Sequence, residues 1–382
     1  MRLQRYAIIF FSLLLQFKMS AMKILSVIGA RPQFVKAAVV SAEIHNTPGV
    51  SEVLVHTGQH FDANMSQLFF EEMGIRQPQY NLGIHSLPHE EMVAQMQAGI
   101  ERVIRDERPD WLLVYGDTDS TLAGAQAARA CVVPLCHVEA GLRSFNPKMR
   151  EEYNRIQTDK LSDVLFAPTT TAVRNLEREG VDPKRIILTG DVMKDAALLF
   201  APQARKPQVE LPETFVLCTL HRAENTDNPE ILKELLLALE MVCQFVPVVL
   251  PLHPRTRQKM LEINYPIEHS PILFIDPVGY LEMLYLLKHC QLVMTDSGGV
   301  QKEAYFAHKY CMTLREETEW VELCARGYNH LLGHNHIDIV STVRNFLSMP
   351  PLFTDDLYGD GHAARTIVYC LQNDKEAGVI NN

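Results

Sequence analysis

The sequence predicts an α/β protein made of two Rossmann-like, three-layer domains, each a parallel sheet covered by helices on both faces. Three observations carry this. Short, nearly continuous apolar runs alternate with helical periodicity along the chain, the pattern of strands buried on both sides. The runs fall into two sets of about six. A polar stretch, residues 197–213, separates the sets and contains Pro202, Pro207 and Pro212, which disfavour a continuing helix and suit a linker. At 382 residues the chain also exceeds one ordinary core and suits two.

Taken in order, residues 1–21 carry Arg2, Arg5 and an apolar run from Ala7 to Leu15. The run is too short to span a bilayer, and no small-residue cleavage site follows it. A disordered leader or an over-extended start is expected there. The first domain, 22–196, should contain strands at Ile24–Ile28, Glu52–His56, Trp111–Tyr115, Val132–His137, Asp163–Phe166 and Ile186–Leu188. The second, 214–359, should contain Phe215–Leu220, Pro247–Leu252, Ile272–Ile275, Leu292–Thr295, Tyr310–Leu314 and His330–Leu332. Within 360–382, a helix at Asp360–Lys375 is expected to pack back on the first domain.

Bulk properties narrow the function. Hydrophobic residues make up 47% and charged residues 21% of the chain, as in a soluble globular enzyme. The formal net charge of -10 argues against nucleic acid, so an anionic ligand must be met by local basic groups. Eight cysteines without a CxxC pair read as reduced thiols in a cytoplasmic protein. His85, His89, His334 and His336 lack zinc-ligand spacing with the carboxylates, so no metal is expected, and no membrane partner.

Polar clusters follow the carboxyl ends of the expected strands, the edge where doubly wound sheets bind ligands. Gly29-Ala30-Arg31-Pro32-Gln33 ends the first strand and opens a helix carrying Lys36. Its glycine and helix-start amides suit a phosphate, with Arg31 and Lys36 in reach. Asp296-Ser297-Gly298-Gly299 repeats that logic in the second domain, where Ser297 caps a helix and Glu303 is available to ribose hydroxyls. His221-Arg222 and His253-Pro254-Arg255 add basic groups at neighbouring strand ends. Asp117, Glu139 and Glu151 form the acid–base set; crowding should raise at least one of their pKa values. Glu152 suits a surface salt bridge, Arg143 and Arg155 suit holding the acids, and Tyr280 suits contact with a nucleobase.

These blocks resemble the non-hydrolysing UDP-N-acetylglucosamine 2-epimerases of bacteria. The likeness runs through GARPQFVK from Gly29, TGQHFD from Thr57, GDTDST from Gly116, HVEAGLRS from His137, EEYNR from Glu151, LHRAEN from Leu220 and TDSGGVQKEA from Thr295. The resemblance implies a glycosyltransferase-B-like arrangement with a UDP-sugar in the interdomain cleft, no cofactor, and usually a homodimer. It implies catalytic roles for Asp117, Glu139 and Glu151, phosphate contacts by Arg31, Lys36 and His221, and support of the same floor by Arg143. Ser297, Gly298, Gly299 and Glu303 match its nucleotide contacts, with His253 lining the cleft. It further implies an activating UDP-sugar in some members, with Gln59 and His60 where that second site would be.

Within the family, GARPQF, HPRTR, DPVGYLEM and REETEWVE are similar to a branch that inverts C2 of UDP-2,3-diacetamido-2,3-dideoxy-glucuronate for surface polysaccharide. The generic branch, acting on UDP-N-acetylglucosamine, shares many blocks. A uronate needs a further cation near C6, and Lys302, Arg315 and Arg150 are the candidates. Arg150 stands where a proline is common in the family. A hydrolysing epimerase and a UDP-sugar glycosyltransferase of the same fold are the alternatives.

Overall fold

The computed structural model describes residues 22–59, 70, 72–350 and 352–376. The expected leader and His60 lie outside the described residues. The first sheet contains β1 (Met22–Ile28), β2 (Val50–His56), β3 (Tyr80–Asn81), β4 (Trp111–Tyr115), β5 (Leu135–Val138), β6 (Val164–Ala167) and β7 (Ile186–Leu188). All its pairs are parallel, in the order β3-β2-β1-β4-β5-β6-β7. The second contains β8 (Val216–Thr219), β9 (Val248–Pro251), β10 (Leu273–Ile275), β11 (Leu292–Thr295), β12 (Cys311–Thr313) and β13 (Asn329–Leu331). It too is parallel, ordered β10-β9-β8-β11-β12-β13.

Alternate residues of β1 explain why its run is mostly apolar, with Ser26 the buried exception. Ile24 and Ile28 enter one core with Phe34, Trp111 and Phe166, while Leu25 and Val27 enter the opposite core with Leu112 and Val114. In β8, Val216 and Cys218 face one core, while Leu217, together with Phe215 just before the strand, faces the other. Two differences from the sequence expectation have local causes. The Val132–His137 strand begins only at Leu135, because Val132 is a left-handed, solvent-facing turn residue (φ 56°, 88% exposed) and Pro134 follows. The edge strand β3 was not expected, since two residues without a β-branched run leave little pattern.

The 197–213 segment is not wholly a linker. The helix Val192–Phe200 occupies its start and stops shortly before Pro202, and Phe200 packs edge-on against Tyr280 of the second domain. The last helix, Ala363–Glu376, inserts Ala363, Ile367 and Leu371 into the first domain's core. Asp195 holds its start by accepting hydrogen bonds from Ala363 N and Ala364 N at 3.2 and 2.8 Å. No helix among the described residues is long and apolar enough to cross a membrane.

Candidate active site

In each sheet the strand order reverses between the first strand and its neighbour, opening a crevice at the carboxyl edge. In the first domain it lies between the turns after β1 and β4, carrying Gly29 and Asp117. In the second it lies between those after β8 and β11, carrying His221 and Ser297. The two crevices share one cleft with connected chambers. A polar chamber of about 300 Å³ is lined by Lys36, Asp117, Glu139, Glu151, Arg155 and Lys302, among others. A larger chamber of about 670 Å³ is lined by Arg31, His253, Val278, Tyr280, Val300 and Glu303, among others. Gln59, His221, Ser297 and Gly299 border both.

Glu139 follows β5 with its backbone in the left-handed region (φ 73°), a strained conformation for a residue with a side chain. Its carboxylate is pinned by two lysines. Lys36 pairs with one oxygen, and Lys302 Nζ lies 2.8 Å from the other. Lys302 also contacts Asp191 at 2.6 Å and sits 4.1 Å from the centre of the Trp320 ring. It is 1% exposed, so a second-domain ammonium is buried between two first-domain carboxylates. Burial first, then Lys302, push the Lys36 ammonium down to about 8.

Asp117 opens onto the same chamber, held by Arg155, which also pairs with Glu152 at 2.9 Å. Burial alone would raise the Asp117 carboxyl, but Arg155 and Lys36 outweigh it and hold it below the usual range. Crowding therefore does not raise Asp117, because cations separate it from the other acids. In the larger chamber, burial does raise a carboxyl, pushing Glu303 up to about 7. Glu151 lies in the first turn of the helix Arg150–Leu161 and is exposed to the cleft. Glu152, expected on the surface, is instead 3% exposed and accepts hydrogen bonds from Ser144 N, Ser144 Oγ and Phe145 N. It fixes the loop before that helix.

Arg143 does not line either chamber. It is 2% exposed, pairs with Asp159 at 2.8 Å and grips Glu179 through two bonds of 2.7 Å. His137 lies beneath the floor as well, with Asp159 2.7 Å from Nδ1 and Gly116 O 2.6 Å from Nε2. Both residues position the turns that carry Asp117 and Glu139 without facing the cleft.

The first glycine turn differs from expectation. Gln33 Oε1 accepts from Gly29 N and Ala30 N at 2.8 and 2.9 Å, so those amides are taken inside the protein. Glycine is required at 29 because a Cβ there would lie 2.0 Å from Thr57 Oγ1 and 2.2 Å from Ser120 Oγ. Arg31 and Lys36 do reach the cleft wall. In the second domain, Ser297 starts the helix Gly298–Phe306 without a side-chain cap bond, and a Cβ on Gly299 would meet only open space. Gly298 abuts protein: a Cβ there would fall 2.4 Å from Glu319 Oε1. Asp296 faces inward and accepts from His221 N and Arg222 N at 2.9 and 2.8 Å, setting the His221 turn. His253 Nδ1 accepts from Arg255 N at 3.2 Å, while its ring, 5.6 Å from that of His221, lines the larger chamber. Gln59 Oε1 accepts from Ser120 Oγ at 2.7 Å. Tyr280 is buried in the chamber wall.

Sequence reading missed Asp191, Asn154 and Trp320. Asp191 follows β7 just as Asp117 follows β4, so the strand-end rule applied once more would have found it. Asn154 donates to Asp117 O and Asp119 Oδ1, both at 3.0 Å, from inside the EEYNR block. Trp320, which donates to Gly298 O at 2.8 Å, carries no such signal.

A two-domain cleft with glycine-fronted, cation-lined crevices defines a nucleotide-sugar enzyme of glycosyltransferase-B-like architecture. The chain matches the UDP-N-acetylglucosamine 2-epimerase family over residues 42–372, and it belongs to that family in its non-hydrolysing form. It is 52% identical over 354 residues to the UDP-2,3-diacetamido-2,3-dideoxy-D-glucuronate 2-epimerase of Pseudomonas aeruginosa, covering 92% of this chain and 99% of the relative. It is 39% identical to a UDP-N-acetylglucosamine 2-epimerase of Methanococcus maripaludis, covering 93% and 99%. Among solved structures it resembles the Methanocaldococcus jannaschii UDP-N-acetylglucosamine 2-epimerase in complex with UDP-N-acetylglucosamine and UDP. That match has a TM-score of 0.85 and 37% identity, and covers 92% of this chain and 99% of the other. The protein is thus an isomerase that epimerises a UDP-sugar at C2 without hydrolysing it.

Proposed function

We propose that the substrate is UDP-2,3-diacetamido-2,3-dideoxy-glucuronate and that the chain inverts it by eliminating and re-adding UDP. The 52% identical relative of that activity supports the substrate. The convergence of Asp117, Glu139 and Glu151 on one chamber, adjoining the Ser297–Glu303 chamber, supports the chemistry and is its principal support. A hydrogen on C2 of a hexose is not acidic enough for simple removal. Anti elimination couples its loss to cleavage of the C1–O bond: a carboxylate takes the proton, and the C–H pair becomes the C1–C2 double bond. The C1–O pair leaves with UDP. Addition of UDP to this 2-acetamidoglucal, with a proton delivered to the opposite face of C2, gives the epimer.

In this reading Asp117 and Glu151, the acids with a face open to the chamber, exchange the C2 proton. Glu139 is the anion that holds Lys36 and Lys302 in place. Arg31, Lys36 and His221 receive the diphosphate, whose charge grows as the C1–O bond breaks, so fixed cations there favour the transition state. Ser297, Gly298, Gly299 and Glu303 hold the nucleotide, with Tyr280 and His253 in its wall. Arg143 acts as a positioning residue. The reading extends to a cytoplasmic homodimer in surface-polysaccharide synthesis, and to an activating UDP-sugar beside Gln59. Sedimentation tests the dimer, and turnover that stays hyperbolic without activation would remove the second site.

Proton NMR with each candidate UDP-sugar in deuterated water tests the whole. The expected result is solvent deuterium at C2 of a product still bearing UDP, with the diacetamido-glucuronate turned over faster than UDP-N-acetylglucosamine. Conversion without deuterium at C2 would overturn the mechanism, and preference for the neutral sugar would overturn the substrate.

A further inference from the structure

We propose that Arg150 is the specificity-determining residue of this site, the cation that receives the carboxylate on C6 of the hexose. The inference rests on the uronate reading above and assigns that substrate's extra charge to a side chain.

A uronate must bring a second anionic group into a chamber already lined by Asp117, Asp119, Glu139, Glu151 and Glu319. Without a cation committed to it, that group would be repelled. Lys302 is spoken for: Glu139, Asp191 and the Trp320 ring surround its ammonium. Arg315 pairs with Glu319 at 3.2 Å and does not line the chamber. Arg155 is committed to Asp117 and Glu152, and Lys36 to Glu139 and, in the proposed reading, to the diphosphate. Arg222 adjoins His221 at the border with the larger chamber, where the diphosphate belongs.

Arg150 differs from these in both place and pairing. It lines the polar chamber but not the nucleotide chamber, and together with Met149 it also lines an outer hollow of about 560 Å³ beyond the acids. It therefore stands at the end of the sugar chamber far from the nucleotide, which a substituent on C6 can reach. Its side chain is 56% exposed, and among the described residues its one ion pair is a loose 3.5 Å contact with Asp119. Asp119 is itself anchored, 3.0 Å from His89 Nδ1 and 3.0 Å from Asn154 Nδ2. The result is a guanidinium tethered on one side with donors left over, and arginine offers a carboxylate two parallel bonds.

The test uses UDP-glucuronate and UDP-glucose as competitive inhibitors, a pair that differs only at C6. Wild type, Arg150→Met and Arg150→Lys are compared by the ratio of the two inhibition constants, which is insensitive to the fraction of active protein. The wild type is expected to favour UDP-glucuronate. Arg150→Met should lower that preference roughly 10- to 100-fold, the scale of a hydrogen-bonded charge pair, and Arg150→Lys should keep part of it. A preference that survives intact in Arg150→Met overturns this assignment and leaves the uronate reading standing. A wild type with no preference for the uronate overturns both.

Discussion

Replacing Glu303 by glutamine should make the free enzyme more stable in mild alkali and leave it unchanged in acid. Burial raises this carboxyl from 4.5 to about 7. An acid with a raised folded-state pKa binds its proton more tightly folded than unfolded. Its favourable contribution is complete below about 4.5 and is lost as pH climbs through about 7. Each unit of separation is worth about 1.4 kcal/mol, so full ionisation costs the folded state about 3 kcal/mol. Glutamine keeps the shape and cannot ionise. Urea unfolding of wild type and Glu303→Gln at pH 4 and pH 8, compared at equal slope, should show almost no difference at the first pH, where the carboxyl is protonated in both states. At the second, the variant should gain about 2–3 kcal/mol. An equal gain at both pH values would refute the reasoning, because packing rather than ionisation would then be its source. No gain at pH 8 would show that water in the cleft solvates the carboxylate fully.

Lys302→Met strands two buried carboxylates and should cost about 3–5 kcal/mol in urea unfolding, with at least half recovered when Asp191→Asn is added. Loss of less than about 1 kcal/mol would mean that the triad is solvated. Gly29→Ala forces a methyl against the Thr57 and Ser120 hydroxyls, which bond each other at 2.8 Å, and should destabilise by about 1–3 kcal/mol; an unchanged melting temperature would refute that contact. Lys36 is pushed down to about 8, so it loses its charge above that pH and kcat/KM should fall there. Lys36→Arg, charged throughout, should move that alkaline limb upward, and an unmoved limb would assign it to another group.

The strand ends were readable because a parallel sheet buried on both faces writes itself as an apolar run, and the first polar residues after the run must stand at its edge. Gly29, Asp117, Glu139, His221 and Ser297 all follow from that one regularity. The division of charge among neighbours was not readable. Arg143 and Glu152 sit within a few residues of Glu139 and Glu151 in sequence, yet both turn into the protein. Their orientation depends on Asp159 and Glu179 for one, and on the amides of Ser144 and Phe145 for the other. Those partners come from helix packing and loop closure, which leave no periodic trace. Gln33 makes the same point in reverse. A residue read as part of a phosphate-binding turn consumes the amides that would have bound phosphate.

The charge arrangement also explains why crowding does not raise Asp117. Raised pKa values follow from crowding only where carboxylates face each other without intervening cations. Here Lys36 and Lys302 flank Glu139, and Arg155 joins Asp117 to Glu152, so each acid meets a cation before it meets another acid. The two lysines on Glu139 come from different places. Lys36 belongs to the same domain as Glu139, whereas Lys302 arrives from the second domain with Gly298 and Gly299 on the same helix. The helix whose Gly299 borders both chambers therefore also brings the second cation to Glu139. The wall shared by the two chambers and the pairing of Glu139 are joined through one helix of nine residues, Gly298–Phe306.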